Sequence, residues 1–217
     1  MSDSIPHVDH AHYDQIAGKS VERLAAISDG IFAVAMTLLV LDLKDPARQL
    51  IHRERDLVQA LISMFPQFVT YLMSFLTLAI IWNGQQAQLN VFSKTNRSLT
   101  YIHMAFLFTV SMMPFSTRLL SEFIVFRTAL LCYWFNIFLL GFTLFWSWIY
   151  ATRTGLIKEE TPAGVRKAVL RRVIGAQALY AIGASLCVVN TYVSIAVIVL
   201  VQLNFAIAPK IRWLSRI

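Results

Sequence analysis

The stretch "RLAAISDGIFAVAMTLLVLDL", residues 23–43, places one carboxylate inside a run otherwise apolar enough to cross a bilayer. A charge within a membrane helix costs about 3 kcal/mol or more, so Asp29 must face water or protein and have a partner. It could contact a cation, carry a proton, or act as the acceptor of a structural clamp. Arg23 lies six residues earlier, beyond the i,i+4 spacing at which side chains on one helix meet. Donors for Asp29 are therefore expected from other spans or from another subunit, and Trp82 and Asn83, at the end of the second span, sit at matching depth. Spacing alone leaves open whether Arg23, Ser28 and Asp29 clamp the helix base or touch ions directly.

Little else in the chain is chemically poised. There is no G-x-S-x-G, no H-E-x-x-H, no P-loop and no G-x-G-x-x-G opening a helix, and a single aspartate inside a span does not make an intramembrane protease. The chain is not expected to be an enzyme or to bind a cofactor. His103 has no second histidine or cysteine at metal-ligand spacing, which predicts a hydrogen-bonded core histidine. His7, His10 and His12 form a loose cluster expected to stay solvated, and Cys132 and Cys187 both fall inside spans, as packing residues rather than a disulfide.

The elements that must position these residues follow from composition. A chain of 217 residues that is 57% hydrophobic and 14% charged, with a mean hydropathy of +0.61, is a membrane protein. Spanning the hydrocarbon takes about 20 mostly apolar residues as a helix, because lipid cannot satisfy open backbone groups. Six stretches qualify: 21–43, 57–82, 99–118, 123–150, 172–189 and 191–209. Pro66 and Pro114 are expected to kink the second and third, and the Asn190–Thr191 turn makes the last two a tight hairpin. Trp146, Trp148 and Tyr150 read as an interfacial belt closing the fourth span. Gly175, Ala176, Gly183, Ala184 and Cys187 give the fifth the small residues that let helices approach closely. The polar opening "MSDSIPHVDHAHYDQIAGKS" lacks the apolar core of a signal peptide and is expected to be a flexible tail.

Charge placement predicts the orientation. Lys19, Arg23, Lys94, Arg97, Arg153, Lys158, Arg166, Lys167, Arg171, Arg172, Lys210, Arg212 and Arg216 fall on one side, against Lys44, Arg48, Arg53, Arg55, Arg118 and Arg127 on the other. The richer side is the cytoplasmic one by the positive-inside rule, so both termini are expected there. The net charge of +7 is thereby explained by membrane lipids, with no nucleic acid partner. The domain reading is a cytoplasmic tail over 1–18, a transmembrane domain over 19–210 and a short basic cytoplasmic end over 211–217.

Within the first span, Ile27, Gly30, Val34, Thr37, Leu38 and Leu41 recur at helical spacing along one stripe. Such a stripe suits an ordinary packing seam as well as a pore wall.

Arg23, Ile27, Ser28 and Asp29, followed by "GIFAVAMTLLVLDL", resemble the Arg-x-x-x-Phe-Ser-Asp signature that opens the first helix of the transmembrane protein 175 family, the endosomal and lysosomal potassium channels and their prokaryotic relatives. "SMMPFSTRLLSE", residues 111–122, is similar to the Pro-Phe-x-Thr segment ending that family's third helix. The resemblance implies an all-α polytopic protein of six transmembrane helices per subunit, assembled as a homotetramer in a prokaryotic plasma membrane. The first helix of each subunit would line a central pore passing potassium and, less readily, other monovalent cations such as sodium.

Transferred by distance from the Ser-Asp pair, the family's pore positions become Val34 as the narrowest ring, Thr37 as a hydroxyl layer, Leu38 and Leu41 as further apolar rings, and Asp42 as an acidic outer mouth. Trp82 and Asn83 would join Arg23, Ile27, Ser28 and Asp29 in the motif that positions the helix. The chain lacks "TVGYG", so selectivity would come from aliphatic rings that penalise tightly hydrated ions, and the same rings could close by dewetting. Ile27 replaces the family's phenylalanine, Val34 is smaller than the usual residue at the constriction, and "IWNGQQAQLN" lacks the histidines that often follow the second-helix tryptophan. Two other readings compete: a cation- or proton-coupled secondary transporter using Asp29, and a non-transporting membrane scaffold.

Overall fold

The computed structural model describes residues 20–207. The first helix, α1 (Val21–Leu38), starts where Ser20 accepts a hydrogen bond from the Arg23 N–H at 3.2 Å, filling one of the open donors of the first turn. A 3-10 turn, Leu39–Asp42, completes its apolar length. Then follow α2 (Glu54–Ser63), α3 (Phe65–Leu89), α4 (Arg97–Ser111), α5 (Met113–Glu122), α6 (Arg127–Arg153), α7 (Ala163–Ser185) and α8 (Thr191–Ile207). Among the described residues there is no strand, only an isolated bridge between Phe92 and Ile157. The tail over 1–18, the end over 211–217, His7, His10 and His12 lie outside the described residues.

Val21–Asp42, Phe65–Leu89, Arg97–Glu122 and Arg127–Arg153 are each long and apolar enough to cross a membrane, and Thr191–Ala206 is a shorter apolar helix. The third crossing bends at Met112, one residue between α4 and α5, with Pro114 in the first turn of α5. Pro66 acts differently from expectation. It sits in the first turn of α3, where a missing N–H costs nothing, so it starts the crossing instead of kinking it. The second span is therefore 65–89 rather than 57–82, and Glu54–Ser63 forms a separate helix with no buried residue. Trp82 and Asn83 consequently lie about two turns before the helix end rather than at it.

The fifth helix also departs from its expected range of 172–189. It begins at Ala163, right after Pro162, and its first half carries Arg166, Lys167, Arg171 and Arg172, which were expected in a connection. Lysine and arginine are good helix formers whose long stems reach back toward water, so a basic stretch extends the helix readily. The hairpin turn is as expected. Asn190 caps α8 through its side-chain oxygen, which accepts from Tyr192 N–H at 2.8 Å, and Ser194 Oγ donates to the Gly183 carbonyl at 2.6 Å. Of the small residues, Gly183, Ala184 and Cys187 are buried, and a Cβ on Gly183 would sit 2.9 Å from Ile198 Cγ1. Gly175 faces open space and contributes no such approach.

The core of the bundle is crossed by a polar chain. Thr117 Oγ1 donates to Ser74 Oγ at 2.7 Å, Ser74 Oγ to the Tyr133 hydroxyl at 3.2 Å, and Gln202 Nε2 to Thr77 Oγ1 at 2.7 Å. Side-chain bonds between spans are the adhesive available where water is absent. At the end where α3 and α6 finish, the bridge residues, the Lys158 Nζ to Asn90 carbonyl bond at 2.9 Å and the Asn96 Nδ2 to Tyr150 hydroxyl bond at 3.1 Å tie two connections together. Trp148 is buried against Phe92 there, with ring centroids 6.3 Å apart, so it is a core residue and not part of an interfacial belt, while Trp146 is exposed.

Candidate functional site

The first helix has two faces. Leu24, Ser28, Phe32, Ala35 and Leu39, spaced by three and four, are buried against the bundle, with Phe32 against Phe106 at 6.0 Å. The stripe of Ile27, Gly30, Val34, Thr37, Leu38 and Leu41 lies on the other side, outside the protomer: Ile27 is 46%, Val34 57%, Leu38 43% and Leu41 73% exposed. The described residues thus supply no packing partner for this stripe.

Thr37 puts a hydroxyl on that face. Its hydroxyl donates back to the Ala33 and Val34 carbonyls, each at 2.9 Å. With the proton so engaged, the oxygen's remaining lone pairs are free to accept, which is the chemistry a passing cation or water requires.

Asp29, at the base of the same exposed side, finds its donors on α3. Trp82 Nε1 donates to Asp29 Oδ1 at 2.8 Å and Gln86 Nε2 donates to the same oxygen at 2.7 Å. Trp82 and Gln86 stand one turn apart on one face of α3, so a single helical surface grips the carboxylate. Trp82 is the donor expected from depth. Asn83, expected beside it, makes no such bond and lines a crevice between α3, α6 and α7 instead. Gln86 was missed, and the available signal was its i,i+4 spacing from Trp82. Ser28 is buried and donates to the Leu24 carbonyl at 2.7 Å, while Arg23 bonds only through its backbone N–H, so the motif does not close on Asp29 through its own helix.

At the far end of α1, Asp42 lies within electrostatic reach of Arg118, Glu122 and Lys44. Lys44 Nζ donates to Glu122 Oε1 at 2.9 Å, and Arg118 approaches the same oxygen at 3.4 Å. Those pairs hold the end of the first crossing to the end of the third. His103 is the buried, hydrogen-bonded histidine anticipated, with its Nε2 2.8 Å from Gln85 Nε2. Cys132 and Cys187 are free thiols, and among the described residues no three histidine, cysteine, aspartate or glutamate side chains converge as a metal site.

Comparison with known proteins agrees with this architecture. Residues 23–114 match the family model described as "Endosomal/lysosomal potassium channel TMEM175". The chain is 27% identical over 190 residues to a potassium channel of Chamaesiphon minutus, a match covering 85% of this chain and 93% of that one. It is 32% identical over 102 residues to a potassium channel of Streptomyces collinus, covering 47% and 48% of the two. It is 29% identical over 109 residues to the endosomal/lysosomal proton channel TMEM175 of Gallus gallus, covering 48% of this chain and 22% of that protein. In three dimensions it is similar to the crystal structure of a lysosomal potassium-selective channel TMEM175 homolog from Chamaesiphon minutus, with a TM-score of 0.74 and 24% identity over 88% of this chain and 98% of that one.

Proposed function

We propose that this chain, whose residues 23–114 match the TMEM175 family model and which is similar over most of its length to a bacterial potassium channel, is a member of that family and forms a potassium-permeable cation channel, with four copies meeting around a central pore lined by α1. The family is one of ion channels, and the chain is accordingly not an enzyme. The observation that carries the proposal is the outward stripe of α1. The aliphatic row of Val34, Leu38 and Leu41 carries an accepting hydroxyl at Thr37 and is left open by the described residues, and around a symmetry axis it forms rings that cations can traverse.

In that assembly Val34 forms the narrowest ring, Leu38 and Leu41 the apolar rings beyond it, and Asp42 an acidic mouth that concentrates cations. Aliphatic side chains cannot replace an ion's hydration shell. A ring of them therefore favours potassium, which holds its water less tightly than sodium, and the preference is weak. The same rings gate by dewetting. The grip of Trp82 and Gln86 on Asp29 sets the rotation of α1 and with it which residues face the axis. The excess of basic residues beside the end where α1 begins supports a cytoplasmic position for both termini in a prokaryotic cell.

Purified protein in planar bilayers under opposed potassium and sodium gradients tests the reading. Single-channel steps with a reversal potential displaced toward potassium are expected. Coupled flux without steps would indicate a transporter, and no flux a scaffold. Proton-carried steps would move the permeant ion to the one named for the vertebrate relatives.

A further inference from the structure

A second feature lies on the opposite side of α3 from the Asp29 grip. Between α3, α6, α7 and the end of α8 runs a crevice of about 90 Å³, walled chiefly by apolar side chains such as Ile80, Leu144, Val173 and Phe205. Besides Gln177 and Tyr180, the lining includes two polar residues that stand at its exposed side. Arg172 on α7 and Asn83 on α3 are exposed, and neither makes a hydrogen bond or ion pair with any described residue. Arg172 is nine residues into α7, about 13 Å along the helix at 1.5 Å per residue. A guanidinium beside a crevice walled by apolar side chains favours an anionic partner, and the described residues provide none.

We propose that this crevice is a binding site for an anionic phospholipid of the leaflet at the α1 N-terminal end, its phosphate on Arg172 and Asn83 and an acyl chain along the apolar wall. Charge complementarity selects the occupant: an apolar segment would leave Arg172 unpaired, and a zwitterionic lipid would bring its own cation into this basic surface, whereas an anionic headgroup brings negative charge alone. The basic residues Arg166, Lys167 and Arg171 on the same half of α7 raise the local concentration of anionic headgroups, as basic pockets between membrane helices do. Asn83 directly follows Trp82, so the lipid braces the turn of α3 that holds Asp29. The inference rests on the membrane-spanning reading and not on which ion is conducted.

Native mass spectrometry of the full chain, released from nanodiscs of equal phosphatidylglycerol and phosphatidylcholine, tests it. The wild type should retain phosphatidylglycerol selectively. Arg172→Gln should lower that retention about fivefold, the effect of one basic residue at an anionic surface. Ala176→Leu, which fills the crevice while keeping Arg172, should lower it as well. Arg153→Gln, at the same membrane end but outside the crevice, should leave it unchanged. Thermal unfolding in detergent identifies any variant that fails to fold, and the crevice is then judged on the remaining one. Equal retention of both lipids, retention untouched by both crevice variants, or an equal loss on Arg153→Gln would overturn the proposal. Channel activity is not part of the readout, so failure here and failure of the channel reading are distinguishable.

Discussion

Asp29 accepts both of its hydrogen bonds at Oδ1, from an indole and an amide that lie one turn apart. Replacing it by alanine leaves two donors without an acceptor, which costs about 1–3 kcal/mol where the donors stay dry. Asparagine keeps a carbonyl in place. Asp29→Ala should therefore lower the thermal unfolding midpoint clearly more than Asp29→Asn, and equal shifts would mean that the carboxylate is not what holds α1 to α3. At the proposed constriction, Val34→Ala shortens the side chain on the open face and should raise sodium permeability relative to potassium in bilayer recordings. An unchanged ratio would remove Val34 as the selective ring. The need for a partner at Asp29 could be read from the chain because burying a charge is costly anywhere. The i,i+4 spacing of Gln86 from Trp82 put both on one face, about 40° apart against about 100° for Asn83, but only the rotation of α3 decided that this face is turned to α1.

At the scale of elements, close helix approach is concentrated at two glycines. Gln177 crosses α6 directly over Gly141 and donates its amide to the Ile137 carbonyl at 3.2 Å. A Cβ at Gly141 would overlap the Gln177 side chain along several atoms, so Gly141→Ala must expel it and break that bond. A loss of about 1–3 kcal/mol in unfolding free energy is expected, the usual cost of overpacking. Gly175→Ala, with open space around it, should gain up to about 1 kcal/mol in the same assay, since alanine is the better helix former. Which of the two glycines is crossed by a neighbouring side chain is not a property that hydropathy reports. The helix bounds divide in the same way. Those of α1 follow from its cap and its apolar length, whereas the start of α3 at Phe65 depends on Pro66 serving as a first-turn residue rather than a kink.

For the whole molecule, the decisive test is whether the open face of α1 becomes an inner wall when copies assemble. With Cys132 and Cys187 replaced by alanine, Thr37→Cys should react with water-soluble thiol reagents and block current, and Ala35→Cys, on the buried face, should not. Equal labelling of the two would place the α1 stripe elsewhere than a pore. The mass of the intact assembly should correspond to four chains, and a monomer or dimer that conducts would exclude a four-fold axis.

Membrane residence, helical class, the two-faced first helix and the demand for donors at Asp29 were all present in the linear chain. Each follows from hydropathy and helical period, which are local properties set by neighbours along the backbone. Tertiary structure alone decided that the stripe from Ile27 to Leu41 is left without a partner, that Trp82 and Gln86 hold Asp29, that Trp148 is core, and that Arg172 stands unpaired in a crevice. These depend on how helices distant in sequence are rotated against one another. That rotation is set by contacts such as Phe32 on Phe106 and Thr117 on Ser74, which no window of sequence contains.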